Sequence, residues 1–179
     1  MKTVIIGAGA SGLACAIRLK QNIPSARVTV LERLETPGKK ILATGNGRCN
    51  ITNKNAIGYK TAAAFFEGLG LLLDKCTELG IKIITDCTAK KILPNLTVLT
   101  DRGAFEADFT AVCCGGKAQS ALGSNGSGYA LLKDLGHSVT PLCPALVQLK
   151  SSSRHTRAIS GTRAKCRIAL ELDGNIVGE

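Results

Sequence analysis

The sequence predicts an α/β fold, a parallel sheet built on a βαβ unit and followed by a β-meander. Three observations carry that expectation. Lys2 to Ile6 is a β-branched apolar run that meets glycines at once, and Leu13 to Leu19 then shows helical apolar spacing up to the break at Asn22 to Pro24. Arg27 to Glu32 (RVTVLE) is a second apolar strand, bounded by Pro24 before it and Pro37-Gly38 after it. Two strands joined by a helix over so short a stretch form a unit whose crossover is right-handed and whose strands run parallel.

The later elements follow in order. Leu34 to Asn53 has no periodicity and is dense in Gly, Asn, Thr and basic residues, so it reads as a loop facing a ligand. Thr61 to Gly70 and Leu71 to Gly80 read as helical, with Gly80 at a left-handed cap before the strand Ile81 to Thr85. Ala89 to Leu93, Thr97 to Thr100 and Ala104 to Ala107 are short strands divided by Pro94-Asn95 and Asp101-Arg102-Gly103, the pattern of a meander. Phe109 to Cys114 reads as a buried strand ending in Gly115-Gly116, and Ser127 to Leu135 is a helix closed by Gly136. After Pro141 and Pro144 the texture changes. Ser151 to Arg157 is polar and irregular, Arg163 to Leu172 alternates, and Asp173-Gly174-Asn175 turns into a further strand. The expected division is therefore 1–149, a dinucleotide-binding domain, and 150–179, the start of a β-rich insertion that the chain enters and does not complete.

Composition narrows the class. The 179 residues are 45% hydrophobic and 20% charged, which suits a packed globular core and argues against disorder. Uncharged runs stop at 15 residues, too short to span a bilayer, so no membrane partner is expected. The N-terminal VIIGAGASGLACA superficially resembles a secretory signal, but its spacing fits strand, loop and helix better. Eight cysteines without a C-x-x-C pair, mostly in apolar segments, suit reduced thiols and a cytoplasmic location. With two histidines no metal site is expected. Of the net charge of +10, residues 1–50 hold +6, and there is no basic block and only 3% aromatics. A nucleic-acid partner is therefore not expected, and the basic excess fits a phosphate-bearing ligand.

The sharpest motif is VIIGAGASG. Gly7, Gly9 and Gly12 make G-x-G-x-x-G directly after a strand and at the start of a helix, and Glu32 stands 20 residues beyond Gly12 at the end of the next strand. Gly7 permits the tight turn, Gly9 lets backbone approach a pyrophosphate, Gly12 lets helix and strand pack closely, and the helix N-terminus offers N–H donors. Glu32 would accept hydrogen bonds from ribose hydroxyls and would repel a 2′-phosphate, which favours FAD or NAD over NADP at this site. In PGKKILATGNGRCNITN, Pro37 to Asn53, Lys39, Lys40 and Arg48 can meet phosphate charge. Gly45 and Gly47 there allow close approach, and Thr44, Asn46, Asn50 and Thr52 supply polar groups.

With these residues in hand a resemblance can be named. VIIGAGASGLACAIRL, VLERLETPGKKILATGNGRCNITN, CCGGKAQ, GSNGSGYALLKDLGH and PLCPALVQL, in that order, resemble the BaiN-like, aminoacetone-oxidase-like family of FAD-dependent oxidoreductases. The resemblance implies a Rossmann-like FAD/NAD(P)-binding fold holding FAD in an extended pose, with an inserted β-rich domain. By position it implies that Gly7, Gly9, Ala10, Ser11 and Gly12 cradle the pyrophosphate, and that Glu32, with Arg33 beside it, takes the adenosine ribose. It further places Lys40, Thr44, Asn46, Gly47, Arg48, Cys49 and Asn50 on the phosphate and flavin side, and Ala89 against the adenine through its backbone. Cys114 and Gly115 occupy the strand end where the family usually has Thr-Gly-Gly. The family's stretch ahead of the strand at Ile81 ends in a Gly-Arg-aromatic-Pro turn, which this sequence lacks. It also lacks the family's C-terminal return segment, which leaves surface for self-association.

The implied activity is FAD-dependent oxidoreduction, with hydride or electron transfer at the flavin and NAD(P)H as a candidate electron donor on a small-molecule substrate. Two other readings stand beside it: an NAD-binding domain without flavin, and a truncated, non-catalytic interaction module. No catalytic residue is assigned. Cys49 next to Arg48 has the setting of an activated thiol, but packing is the expected role of Cys49, Cys113 and Cys114, and His137 and His155 are explained by a helix end and a polar loop.

Overall fold

The computed structural model describes residues 1–42, 72–143, 153, 155 and 169–178. The chain divides into two compact units, Met1–Leu142 and Cys143–Glu179. In the first, β1 (Lys2–Ile6) leads into α1 (Ala10–Asn22) and β2 (Arg27–Leu31), then α2 (Lys39–Leu42), α3 (Leu72–Glu78) and β3 (Lys82–Ile84). The strands β4 (Ala89–Ile92), β5 (Val98–Thr100) and β6 (Gly103–Phe105) precede β7 (Phe109–Val112), a 3₁₀ turn at Ser120–Leu122 and α4 (Ser127–Lys133).

The main sheet has the order β3-β2-β1-β7, and every pairing in it is parallel. Parallel neighbours need crossovers, and α1 supplies the one between β1 and β2. Between β3 and β7 the crossover is the antiparallel sheet β4-β5-β6. This is the Rossmann-like arrangement that the sequence leads one to expect. The chain leaves β1 toward β2 on one side and returns to it through β7 on the other, which opens a crevice at the carboxyl ends of the strands.

Alternation along the strands divides the core into two layers. Ile5, Val28 and Val30 face α1 and α3, where they pack with Leu13, Ala16, Ile17 and Cys76. Val4, Ile6 and Leu31 face the other way and pack with Ile92 and Val98 of the meander and Leu131 of α4. Both faces of the sheet are thus covered, which is why its strands read as near-continuous apolar runs.

Helix ends match their glycine signals. Gly80 has φ +66° and Gly136 φ +89°, and in each case the next residue donates back five positions, Ile81 N–H to the Cys76 carbonyl and His137 N–H to the Leu132 carbonyl. Two expectations are corrected. The strand from Phe109, read as buried, is half-buried along Thr110 to Val112, and Phe109 itself is 59% exposed. Lys39–Leu42 is a helical turn inside the stretch read as an aperiodic loop. Gly38 at φ +68° reverses the chain, its N–H donates to the Ala8 carbonyl, and Ile41 N–H closes on the Gly38 carbonyl. One turn is too short to imprint a period on sequence. The expected helix Thr61 to Gly70 lies outside the described residues.

In the second unit β8 (Leu170–Leu172) and β9 (Asn175–Gly178) pair antiparallel. Asp173 and Gly174 both have positive φ, the two-residue hairpin geometry that this dipeptide favours. The boundary expected at 149/150 falls among residues outside those described.

Candidate functional site

The carboxyl ends of β1, β2 and β7 surround a cleft of about 410 Å³, within the size range of small-molecule sites. Gly7, Gly9, Ala10, Ser11, Glu32, Arg33, Lys40, Ala89, Cys114 and Gly115 all line it. Gly12 stands behind them. Thr44, Asn46, Gly47, Arg48, Cys49 and Asn50 lie outside the described residues.

Each glycine of the motif has a separate structural reason. Gly7 adopts φ +107°, and a Cβ added there would sit 2.6 Å from the Cys113 carbonyl oxygen. A Cβ on Gly12 would collide with the Gly7 carbonyl oxygen, so α1 rests directly on the loop before it. At Gly9 an added Cβ meets nothing within 4 Å. Its missing side chain faces open cleft, which is the geometry a closely approaching phosphate group needs. Gly9 is also the N-cap of α1, with no side-chain cap and no acidic residue in the first turn. The first N–H groups of a 13-residue helix are therefore turned toward the cleft without an anionic competitor.

Glu32 holds the loop in place. Its Oε2 accepts from Ala8 N–H at 2.8 Å and its Oε1 from Leu34 N–H at 2.9 Å. The backbone around it continues the sheet beyond the strands, with Gly7 N–H donating to the Leu31 carbonyl and Cys87 N–H to the Glu32 carbonyl. Each carboxylate oxygen retains acceptor capacity after one such bond, so this clamp leaves room for a hydroxyl on the cleft side.

Cations line the same cleft. Arg33 donates through Nη2 to the Gly123 carbonyl at 3.3 Å, and Lys40 Nζ donates to Ser124 Oγ at 3.5 Å. Lys39 also lines the cleft. Neither Arg33 nor Lys40 forms an ion pair among the described residues.

Several lining residues were not anticipated as ligand contacts. Cys87 and Thr88 sit beside Ala89, and Leu122, Gly123, Ser124 and Ser127 close the far side. Asp101 on the meander turn fixes Thr88 by accepting its N–H at 2.9 Å, and that bond holds the Asp101 carboxyl below its ordinary pKa. A signal for the second group existed in GSNGSG, but glycine and serine at this density also mark ordinary loops.

At the end of β7, Cys113 and Cys114 pack against the core. Cys114 Sγ donates to the Ile6 carbonyl at 3.5 Å, and burial, then the neighbouring Cys113 and Glu32, push its thiol up to about 11. Burial also pushes Cys76 up to about 11 and raises Cys113. A thiol raised in this way stays protonated at neutral pH and makes a poor nucleophile. All six cysteines described are free thiols. Because the native state binds these protons more tightly than an unfolded chain does, the stability they contribute is fully present below the ordinary thiol range and is lost as pH rises through about 11. Thermal melts at pH 8 and pH 10.5 should show a drop that is smaller in a Cys76→Ala/Cys114→Ala variant; an equal drop in both proteins would refute the assignment.

Comparisons with known proteins agree with the resemblance carried by the motifs. Residues 1–66 match the family described as HI0933-like protein Rossmann domain. The chain is 33% identical over 219 aligned residues to the 3-dehydro-bile acid delta(4,6)-reductase of Clostridium scindens, covering 98% of this chain and 54% of that one. It is 26% identical over 188 residues to the ribosomal RNA dihydrouridine synthase of Escherichia coli, covering 80% and 46%. The chain thus spans about half the length of these curated relatives. Among solved structures, a pyridine nucleotide-disulfide family oxidoreductase from Enterococcus faecalis V583 matches at 17% identity and a TM-score of 0.45, over 64% of this chain and 23% of that one. No helix among the described residues is long and apolar enough to cross a membrane.

Proposed function

We propose that this chain, whose residues 1–66 match the HI0933-like protein Rossmann domain, is the FAD-binding part of a flavin-dependent oxidoreductase acting on a small molecule in the cytoplasm. The observation that supports this best is the uncapped N-terminus of α1 opening at Gly9 onto a cleft that Glu32 and three cations, Arg33, Lys39 and Lys40, also line. That donor set fits a dinucleotide, with positive charge and N–H groups for a diphosphate and a carboxylate for ribose hydroxyls.

In this reading Gly7, Gly9, Ala10, Ser11 and Gly12 form the diphosphate cradle, and Glu32 orients the ribose while clamping Ala8 and Leu34. Lys40 and Arg33 offset phosphate charge, and Ala89 lies at the adenine end. Cys114 and Gly115 close the floor at the end of β7. Thr44, Asn46, Gly47, Arg48, Cys49 and Asn50 are proposed to extend the site toward the ring. FAD, when bound, would supply hydride or electron transfer, while the protein binds, orients and excludes water. NAD(P)H is the proposed electron donor. Two of the curated relatives are by name a reductase and a synthase of dihydrouridine, a nucleoside with a reduced base, so reduction is the proposed direction.

The test is thermal unfolding of the chain with FAD, NAD or NADP at a large excess. At about 100 times Kd a native-state ligand adds roughly 2.7 kcal/mol, a shift of about 5–10 °C for a chain of this size. FAD should produce that shift and NADP should not. Protection by NAD alone would replace flavin with nicotinamide, and no protection by any of the three would leave the interaction-module reading.

A further inference from the structure

The diphosphate cradle does not explain one buried polar group at its edge. Thr3 and Ser124 are the two polar residues buried among those described, and Ser124 is 6% exposed. Thr3 sits in the sheet, where alternation directs its side chain to the same layer as Ile5, away from the cleft. Ser124 lines the cleft.

Its loop holds it there firmly. Ser124 and Gln119 exchange backbone hydrogen bonds in both directions, at 3.1 and 3.4 Å, so 119–124 forms a closed turn. Gly115, at φ +71°, leaves space beside the hydroxyl, and a Cβ on it would lie 3.3 Å from Ser124 Oγ. Arg33 ties the neighbouring Gly123 carbonyl to the end of β2. The hydroxyl meets the Lys40 ammonium, 3.5 Å away.

Lys40 needs such a partner. Its side chain is long, it belongs to a four-residue helical turn, and it forms no ion pair among the described residues. A free lysine would have to be immobilised when it met an anion, at a cost in side-chain freedom. A neutral hydroxyl can restrict the ammonium beforehand without neutralising it, so the whole charge stays available to an incoming anion.

We infer that Ser124 is a positioning residue for Lys40, holding its ammonium at the rim of the cleft so that it is already placed for the diphosphate of a bound dinucleotide. This deepens the FAD reading and rests on it. Ser124 acts through Lys40, so the effects of the two residues on affinity are coupled.

The experiment has two arms on the full chain. In the first, wild type, Ser124→Ala, Ser124→Thr, Lys40→Met and the Ser124→Ala/Lys40→Met double variant are titrated with FAD and with ADP. Loss of preordering for one long side chain weakens binding by roughly two- to tenfold. Ser124→Ala should show that loss for both nucleotides, Ser124→Thr should restore affinity, and the double variant should bind no worse than Lys40→Met. The slope of affinity against salt should fall in Lys40→Met and stay unchanged in Ser124→Ala. Losses that simply add in the double variant would make Ser124 an independent structural residue and overturn the inference.

The second arm needs no nucleotide. Acetylation of Lys40 by acetic anhydride, read by mass spectrometry against Lys39 as internal reference, should rise about twofold or more in Ser124→Ala, as a freed amine would. Equal labelling of Lys40 in wild type and Ser124→Ala would overturn the positioning role by itself. If neither FAD nor ADP binds wild type, the dinucleotide reading falls and with it the diphosphate as the target of Lys40, while labelling still decides whether Ser124 holds the amine.

Discussion

Gly12→Ala should lower the melting temperature by about 6–12 °C and abolish nucleotide binding, whereas Gly9→Ala should melt within a few degrees of wild type and lose binding alone. The asymmetry follows from what each Cβ would meet. At Gly12 it runs into the Gly7 carbonyl oxygen, a backbone atom that cannot rotate away. Gly7 is itself fixed by its N–H bond to the Leu31 carbonyl and by the Cys113 backbone beneath it. Helix α1 would have to lift from the loop, the overpacking that costs about 1–3 kcal/mol, here at the upper end. For a chain of this length each kcal/mol moves the melting point by roughly 2–4 °C.

Gly9 differs because its Cβ would enter empty cleft. Its φ of −81° is accessible to alanine, so folding tolerates the change apart from a weaker N-cap. The methyl group would occupy the space into which a diphosphate must come, and FAD affinity should fall at least about tenfold, the equivalent of ~1.4 kcal/mol. Thermal melts and FAD titrations on the two variants check both halves. A Gly12→Ala protein that melts like wild type would show that α1 can shift, and a Gly9→Ala protein that binds FAD normally would move the diphosphate away from α1.

These two glycines also show what sequence could reveal of the site. The turn at Gly7, the helix start after Gly9 and the close approach at Gly12 are local consequences of spacing within one βαβ unit, and residue type betrays them. The meander was equally legible, because Pro94-Asn95 and Asp101-Arg102-Gly103 punctuate it. Sheet order was not written in any local pattern. That β7 pairs with β1 and brings Cys113 and Cys114 beneath Gly7 depends on a return over a hundred residues. The same applies to Ser124, whose partner Lys40 is 84 residues away. A serine in GSNGSG looks like loop composition until the sheet closes and sets it against the helical turn after Gly38. Cys114 is a related case. Its burial at a strand end before Gly115-Gly116 was readable, but not its partner, the Ile6 carbonyl 108 residues away, and burial is what keeps the thiol protonated.

Glu32 offers the second large effect, and it separates two duties that the motif spacing merges. Spacing from Gly12 marks Glu32 as a ribose acceptor, yet both of its oxygens already accept backbone N–H groups, from Ala8 inside the glycine loop and from Leu34 after β2. Glu32→Ala should therefore destabilise the protein even without ligand. It would strip two part-buried donors of their partner, and an unsatisfied buried donor costs about 1–3 kcal/mol. Allowing for water reaching the cleft, a loss of about 2–3 kcal/mol is expected, or roughly 4–12 °C in melting temperature. Glu32→Gln keeps one acceptor oxygen but turns an NH₂ toward the second N–H, so it should fall between alanine and wild type in stability. Both variants remove the negative charge beside Arg33, Lys39 and Lys40. If Glu32 served the ribose alone, ligand-free melting of all three proteins would coincide and only FAD affinity would differ. If it served the loop alone, glutamine would weaken FAD binding no further than its loss of stability accounts for. The contacts to Ala8 and Leu34 require the ligand-free melting points to separate, because the same carboxylate that would meet the ribose also shapes the loop that would meet the diphosphate.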